Sequence, residues 1–161
     1  MFKLIYTKEN ILKGVVLYSV FDAIAVIILG EFSFQRLFGM MVLGGTFYAF
    51  EIPSYFAWIE KKSEQYPLKR RPFAKTLYAL AYFNPLWIAR HLIVIDLLTS
   101  GTINPDILTI SYKSFLFNIP ISFLGNFIIQ NLITLQFRYV ASAVFSGLMA
   151  IYYAFAKVLF G

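Results

Sequence analysis

Apolar residues gather into five long stretches, 11–30, 36–59, 75–100, 108–136 and 138–160, parted by short polar connections. Within each stretch the polar residues recur at helical spacing, which predicts five helices. In the first, Gly14, Tyr18 and Asp22 fall every four residues and so share one face. After a tight connection over 31–35, the second carries Gly44, Tyr48, Glu51 and Tyr55 on one stripe that includes a carboxylate. Pro53 is expected to kink the inner end of this helix, and Gly44 and Gly45 to let another helix approach closely. The fourth stretch holds Ser111, Ser114, Asn118, Ser122, Asn126 and Gln130 at steps of three or four, a single hydrophilic stripe that Pro120 interrupts. Such a stripe in an apolar helix is either interhelical glue or the wall of a passage. The fifth has a small-residue face, Ser142, Ser146, Ala150 and Ala154, suited to close packing.

The third stretch, KTLYALAYFNPLWIARHLIVIDLLTS, organises the rest. It is long enough to cross a bilayer core, yet holds Asn84-Pro85, Arg90-His91 and Asp96. A charge at a helix centre costs roughly 2.5–3.5 kcal/mol, and each Leu, Ile, Val or Phe returns only about 0.3–0.6. Arg90 and Asp96 together cost about 5–7 kcal/mol, which the apolar residues between Leu77 and Leu98 roughly cancel. The helix is therefore marginal alone and needs partners. Charges at such depth face a bundle interior or a wet cavity and mark a solute or ion path, or else form a buried pair that only fixes packing.

Composition sharpens this pattern. Of the 161 residues, 60% are hydrophobic, 19% aromatic and only 14% charged. A soluble domain of this size cannot bury so much apolar surface. The expected fold is an all-α integral membrane protein, one domain, a compact bundle of four or five transmembrane helices with a polar interior. The net charge of +6 does not point to nucleic acid, because six of the fourteen cations (Lys61, Lys62, Lys69, Arg70, Arg71 and Lys75) sit together around one loop. That is the positive-inside signature, and the loop is also suited to anionic lipid headgroups. With five spans, ten cations fall on the side of this loop and three, Arg36, Lys113 and Lys157, on the other. The amino terminus, counted with Lys3, and loop 60–74 are thus expected to be cytoplasmic. If 108–136 re-enters instead of spanning, four crossings remain. The apolar run after the first cations has no small-x-small cleavage site following Gly30, so a retained helix is expected rather than a signal peptide.

Counting residues from the boundaries gives each charge a depth. Asp22 lies about 18 Å from the inner boundary, Arg90 about 22 Å and Glu51 about 13 Å, at 1.5 Å per residue. Asp22 and Arg90 are therefore expected to interact, leaving Glu51 and His91 freer to titrate, and a histidine suits proton exchange near neutral pH. Asp96 and Lys113 lie at similar distances either side of the outer turn and could meet as a structural ion pair. The absence of cysteine excludes thiolate chemistry and Cys-based zinc sites. The single histidine has no His-x-x-His or His-Glu neighbour, no serine sits in a Gly-x-Ser-x-Gly context, and no Gly-rich phosphate loop appears. Neither an enzyme nor a metal or other cofactor is expected.

Several of these stretches resemble the small bacterial L-alanine exporter family: LYSVFDAIAVIILGEFSFQ (17–35), the Ile-Pro-Ser-Tyr around Pro53, the basic loop, LAYFNPLWIA (80–89) and NIPISFLG (118–125). The likeness covers roughly the first 125 residues and matches Pro53, Asn84-Pro85 and Asn118. It implies an inner-membrane protein that exports alanine at the expense of the proton gradient. That family is expected to have four spans, whereas this chain carries a further apolar segment, 138–160. The end of the chain, with IPISFLGNF (119–127), Arg138 and Tyr152, resembles the closing signature of small peroxisomal and mitochondrial inner-membrane channel proteins, with Ile119 and Phe123 where that signature has tryptophan and glutamine.

Residues and resemblances together predict a small inner-membrane transporter for L-alanine or a similar small neutral amino acid. Its expected pathway is Asp22, Glu51, Asn84, Pro85, Arg90, His91, Asn118 and Asn126, with Arg90 and a carboxylate holding the two ends of the zwitterion. The expected partners are the solute, protons and the lipid bilayer, with a second copy of the chain to help enclose the path. A non-selective channel and an accessory membrane subunit are the alternatives.

Overall fold

The computed structural model describes residues 4–28, 30 and 32–160, apart from the side chains of 150, 151 and 153–160. Lys3, Glu31 and the side chains of Ala150, Ala154 and Lys157 lie outside the described residues. Among those described, every regular element is helical: α1 (Lys8–Ile28), α2 (Phe34–Leu43), a π-helical turn (Gly44–Tyr48), α3 (Ala49–Ser63), α4 (Arg71–Tyr82), α5 (Pro85–Thr99), α6 (Ile107–Asn131) and α7 (Leu135–Phe160). They form five rods, because α2, the π turn and α3 run on without a gap and α4 is followed directly by α5. The rods close into a ring: α1 packs on α2 and the π turn, α3 on α4, α4 and α5 on α6, α6 on α7, and α7 back on α1.

Two local features differ from the sequence expectation. The helix continues through Pro53, and its irregularity falls a turn earlier, at the π turn. There α1 crosses, and a Cβ on Gly14 would collide with the backbone carbonyl of Gly44, as one on Gly44 would with that of Gly14. Only glycine lets the two backbones approach so closely. The single helix expected over 75–100 is broken in two. Asn84 caps α5, its Oδ1 accepting the N–H groups of Leu86 (2.9 Å) and Trp87 (3.1 Å), while Pro85 occupies the first helical position. Proline has no N–H to continue α4, and its ring is already set for a new helix, so the chain restarts there.

Two of the helices, α1 and α6, bury polar residues and turn apolar ones outward. On α6 the whole hydrophilic stripe, Ser111, Ser114, Asn118, Ser122, Asn126 and Gln130, is buried, whereas Phe117 is 69% and Leu124 61% exposed. On α1, Gly14, Tyr18 and Asp22 are buried while Leu12, Val16, Val20 and Ile24 face outward. Helices α1 and α6 are each long and apolar enough to cross a bilayer core. The remaining core is large and apolar: Tyr48, Ile52, Phe56, Ile59, Ile88 and Leu92 pack together between α3 and α5.

At the basic-loop end, Glu60 ties three rods together. Its Oε1 accepts from Lys75 Nζ at 2.6 Å and its Oε2 from Arg138 Nη1 at 2.5 Å, joining α3, α4 and α7. Burial pushes the Glu60 carboxyl up, but the two cations outweigh it and hold it below the usual carboxylate range.

Candidate functional site

The short connection after α1 makes α2 its antiparallel neighbour and brings Arg36, in the first turn of α2, beside Asp22. The guanidinium is bidentate: Nε donates to Oδ2 at 2.9 Å and Nη2 to Oδ1 at 2.7 Å, and both side chains are buried. The expected Asp22–Arg90 pair is therefore not formed. Arg90 instead grips Glu51, with Nη1 on Oε1 at 3.1 Å and Nη2 on Oε2 at 2.8 Å. That pair sits on the flank of the bundle, 42% and 26% exposed, with the guanidinium 6.0 Å from the ring centroids of both Tyr48 and Trp87. Glu51 is thus committed to an ion pair with Arg90. Depth counted along the helix axis treats each charge as a point, and the long arginine side chain spans the difference.

The π turn and the broken helix jointly position an aromatic stack. The turn ends at Tyr48, whose hydroxyl lies 2.8 Å from Nδ1 of His91. Because α5 restarts at Pro85, Trp87 and His91 occupy successive turns of one face, and their rings lie parallel at 9° with centroids 5.6 Å apart. Tyr48 packs against both rings, its centroid 5.7 Å from Trp87 and 6.2 Å from His91, and touches Tyr18 at 4.5 Å. π turns inside α-helices gather at functional sites, since the extra residue re-aims the side chains that follow.

Between α1, α2, α5, α6 and α7, with Phe83 from the α4–α5 junction, lies a narrow cavity of about 40 Å³ for water-sized groups, room for a few heavy atoms beyond a single water. Its polar wall consists of Asp22, His91, Ser122, Asn126, Ser142 and Ser146. Asn126 is oriented by donating from Nδ2 to the Ser122 carbonyl at 2.8 Å. Asn118 stands one turn away, its Nδ2 donating to Ser122 Oγ at 2.8 Å. The cavity lies within one chain.

Of the residues singled out by sequence, Asp22, His91 and Asn126 thus converge on the cavity, and Asn118 supports its wall. Glu51 and Arg90 do not reach it, and Asn84 and Pro85 shape the helix that does. Asp96 is buried and accepts the Asn104 backbone N–H on Oδ2 at 3.1 Å, closing the turn between α5 and α6, and Lys113 lies on the exposed face of α6. Sequence reasoning missed Arg36, Tyr18, Tyr48 and Trp87, and assigned Ser142 and Ser146 to packing alone. The spacing of Trp87 and His91, four apart after a capped proline, was the available signal for the stack.

A second, wider cleft of about 420 Å³ opens at the basic-loop end, between the start of α1, α3 and the start of α7. Glu9, Asn10, Lys13, Pro53 and Tyr139 line it. Tyr139 is buried, and an added Cβ on Gly14 would come within 2.6 Å of its hydroxyl. Tyr18, one turn further along α1, belongs to the narrow cavity. Comparison of the chain with models of protein families, with curated proteins and with solved structures returned no match.

Proposed function

We propose that this chain is an integral membrane bundle that moves a small polar solute, L-alanine or a similar small neutral amino acid, with the narrow cavity as its solute site. The observation that carries this is the cavity itself, a carboxylate, an imidazole and neutral polar groups set among apolar side chains between helices that turn large apolar residues outward. In water that arrangement would expose the wrong surface, whereas in lipid it hides the polar groups and leaves aliphatic side chains against the acyl chains. The interruption between α4 and α5 adds support, because broken helices border solute sites in transporters.

The small free volume favours a solute of a few heavy atoms, and larger amino acids require the walls to move. Asp22 is the partner for the ammonium end. With Arg90 committed to Glu51 outside the cavity, the serines and Asn126 take the place first expected of that arginine. The proton gradient is the proposed driving force, since Asp22 and His91 put two titratable groups on the wall. The proposed setting is a bacterial inner membrane with loop 60–74 cytoplasmic.

The test is uptake and efflux of labelled alanine in reconstituted vesicles, with and without an imposed pH gradient. Saturable flux that follows the gradient is the expected result. Unsaturable flux of many solutes would replace the carrier with a channel, and no flux of any solute would leave an accessory subunit.

A further inference from the structure

The cavity wall is chemically lopsided. Interleaved with its polar groups are the rings of Tyr18, Phe21, Phe83, Trp87 and Phe145. The wall offers one carboxylate and, apart from the His91 ring, no cationic side chain, since Arg36 and Arg90 are not part of it. Aromatic faces are electron-rich and attract a desolvated cation, most strongly when several rings surround it. Asp22 retains acceptor capacity: Arg36 takes one lone pair from each carboxylate oxygen, and an ionised carboxylate has about four such sites. A carboxylate group in the same space would face the Asp22 carboxylate and, apart from the His91 ring, only neutral hydroxyls and the Asn126 amide.

We propose that the cavity is an ammonium site, in which a small primary ammonium group is held by Asp22 and the surrounding rings and the solute's carboxylate is dispensable. This rests on the cavity being the solute site, and it narrows the substrate class from zwitterions to small amines that include them. Alanine then binds by its ammonium end, and ethylamine, which is alanine without its carboxylate, binds as well. Propionate, which is alanine without its amine, does not.

The chain supplies its own probe, because it has two tryptophans and only Trp87 lines the cavity. Trp58 stacks on Tyr55 near the basic loop, so Trp58→Phe leaves the Trp87 emission alone to report. Titrating this full-length variant with ethylammonium chloride, alanine and sodium propionate should give saturable changes for the first two, with affinities within about tenfold of each other. Propionate should give none. Asp22→Asn alone strands Arg36 in the interior and is expected to impair folding, so the informative variant is Asp22→Asn with Arg36→Gln, which removes both charges together. With its thermal melt retained, this double variant should lose at least about tenfold in ethylammonium affinity. Propionate binding that equals alanine binding, absence of ethylammonium binding, or ethylammonium binding unchanged in the double variant would each overturn the assignment. Labelled-alanine flux on the same preparation separates the two claims: ethylammonium binding without flux removes the transporter and keeps the ammonium site, and flux without ethylammonium binding does the reverse.

Discussion

Two arginines on this chain are held by carboxylates in the same bidentate way and differ in what surrounds them. Arg36 and Asp22 are both buried, whereas Arg90 and Glu51 are partly open on the flank. Breaking a buried pair leaves an uncompensated charge and costs about 3–5 kcal/mol, while a partly exposed pair is worth far less. Arg90→Leu should therefore lower the yield of folded protein modestly and leave flux per folded molecule within about twofold of the parent. Adding Glu51→Gln should restore the yield by removing the carboxylate left behind. Flux normalised to the monodisperse fraction on size exclusion measures this, and a collapse of the normalised rate in Arg90→Leu would return that residue to the solute path. Asp22→Asn should instead cost most of the folded protein. The sequence makes all four charges visible. It does not reveal the pairing, because that depends on side-chain reach across a contact between helices.

Periodicity is a local property, and at the scale of elements it was readable: every member of the α6 stripe is buried, as its spacing requires. Asn84-Pro85 is also local, and its reading as a cap and restart follows from one side chain and one missing N–H. The π turn is not readable in this way. It occurs where α1 crosses at Gly14 and Gly44, so its cause is a contact between segments some thirty residues apart. The cavity escapes for the same reason, since five helices supply its walls and Ser142 and Ser146 look like packing residues on their own helix. Between elements, the Glu60 latch across α3, α4 and α7 gives a pH test. A carboxyl held below its ordinary value contributes stability that is complete above the unfolded pKa, near about 4.3. That stability is lost as pH falls through the folded value. The melting temperature of the parent in detergent should exceed that of Glu60→Gln at pH 7, and the gap should close as pH falls below about 4. A gap of constant size down to pH 3 would mean that the ion pairs contribute nothing to it.

At the scale of the whole molecule, the two hollows are each lined by one of two neighbouring tyrosines. The wide cleft reaches Tyr139 from the basic-loop end, and the narrow cavity reaches Tyr18. Between them the Tyr139 hydroxyl lies against Gly14, buried and with no hydrogen-bond partner among the described residues. Under the transport reading proposed above, this buried ring is the group that must move for a solute to pass between cleft and cavity. The chain has no cysteine, so a single thiol can report on this without background. Ser146→Cys puts that thiol on the cavity wall. In vesicles that expose the basic-loop side, a small membrane-impermeant methanethiosulfonate should label it slowly while Tyr139 is present. Tyr139→Phe keeps the ring and should label just as slowly. Tyr139→Ala removes the ring, joins cleft to cavity, and should speed labelling several-fold while the protein still melts cooperatively. Equal rates in all three would mean that solute reaches the cavity by another route and that Tyr139 is only a packing residue.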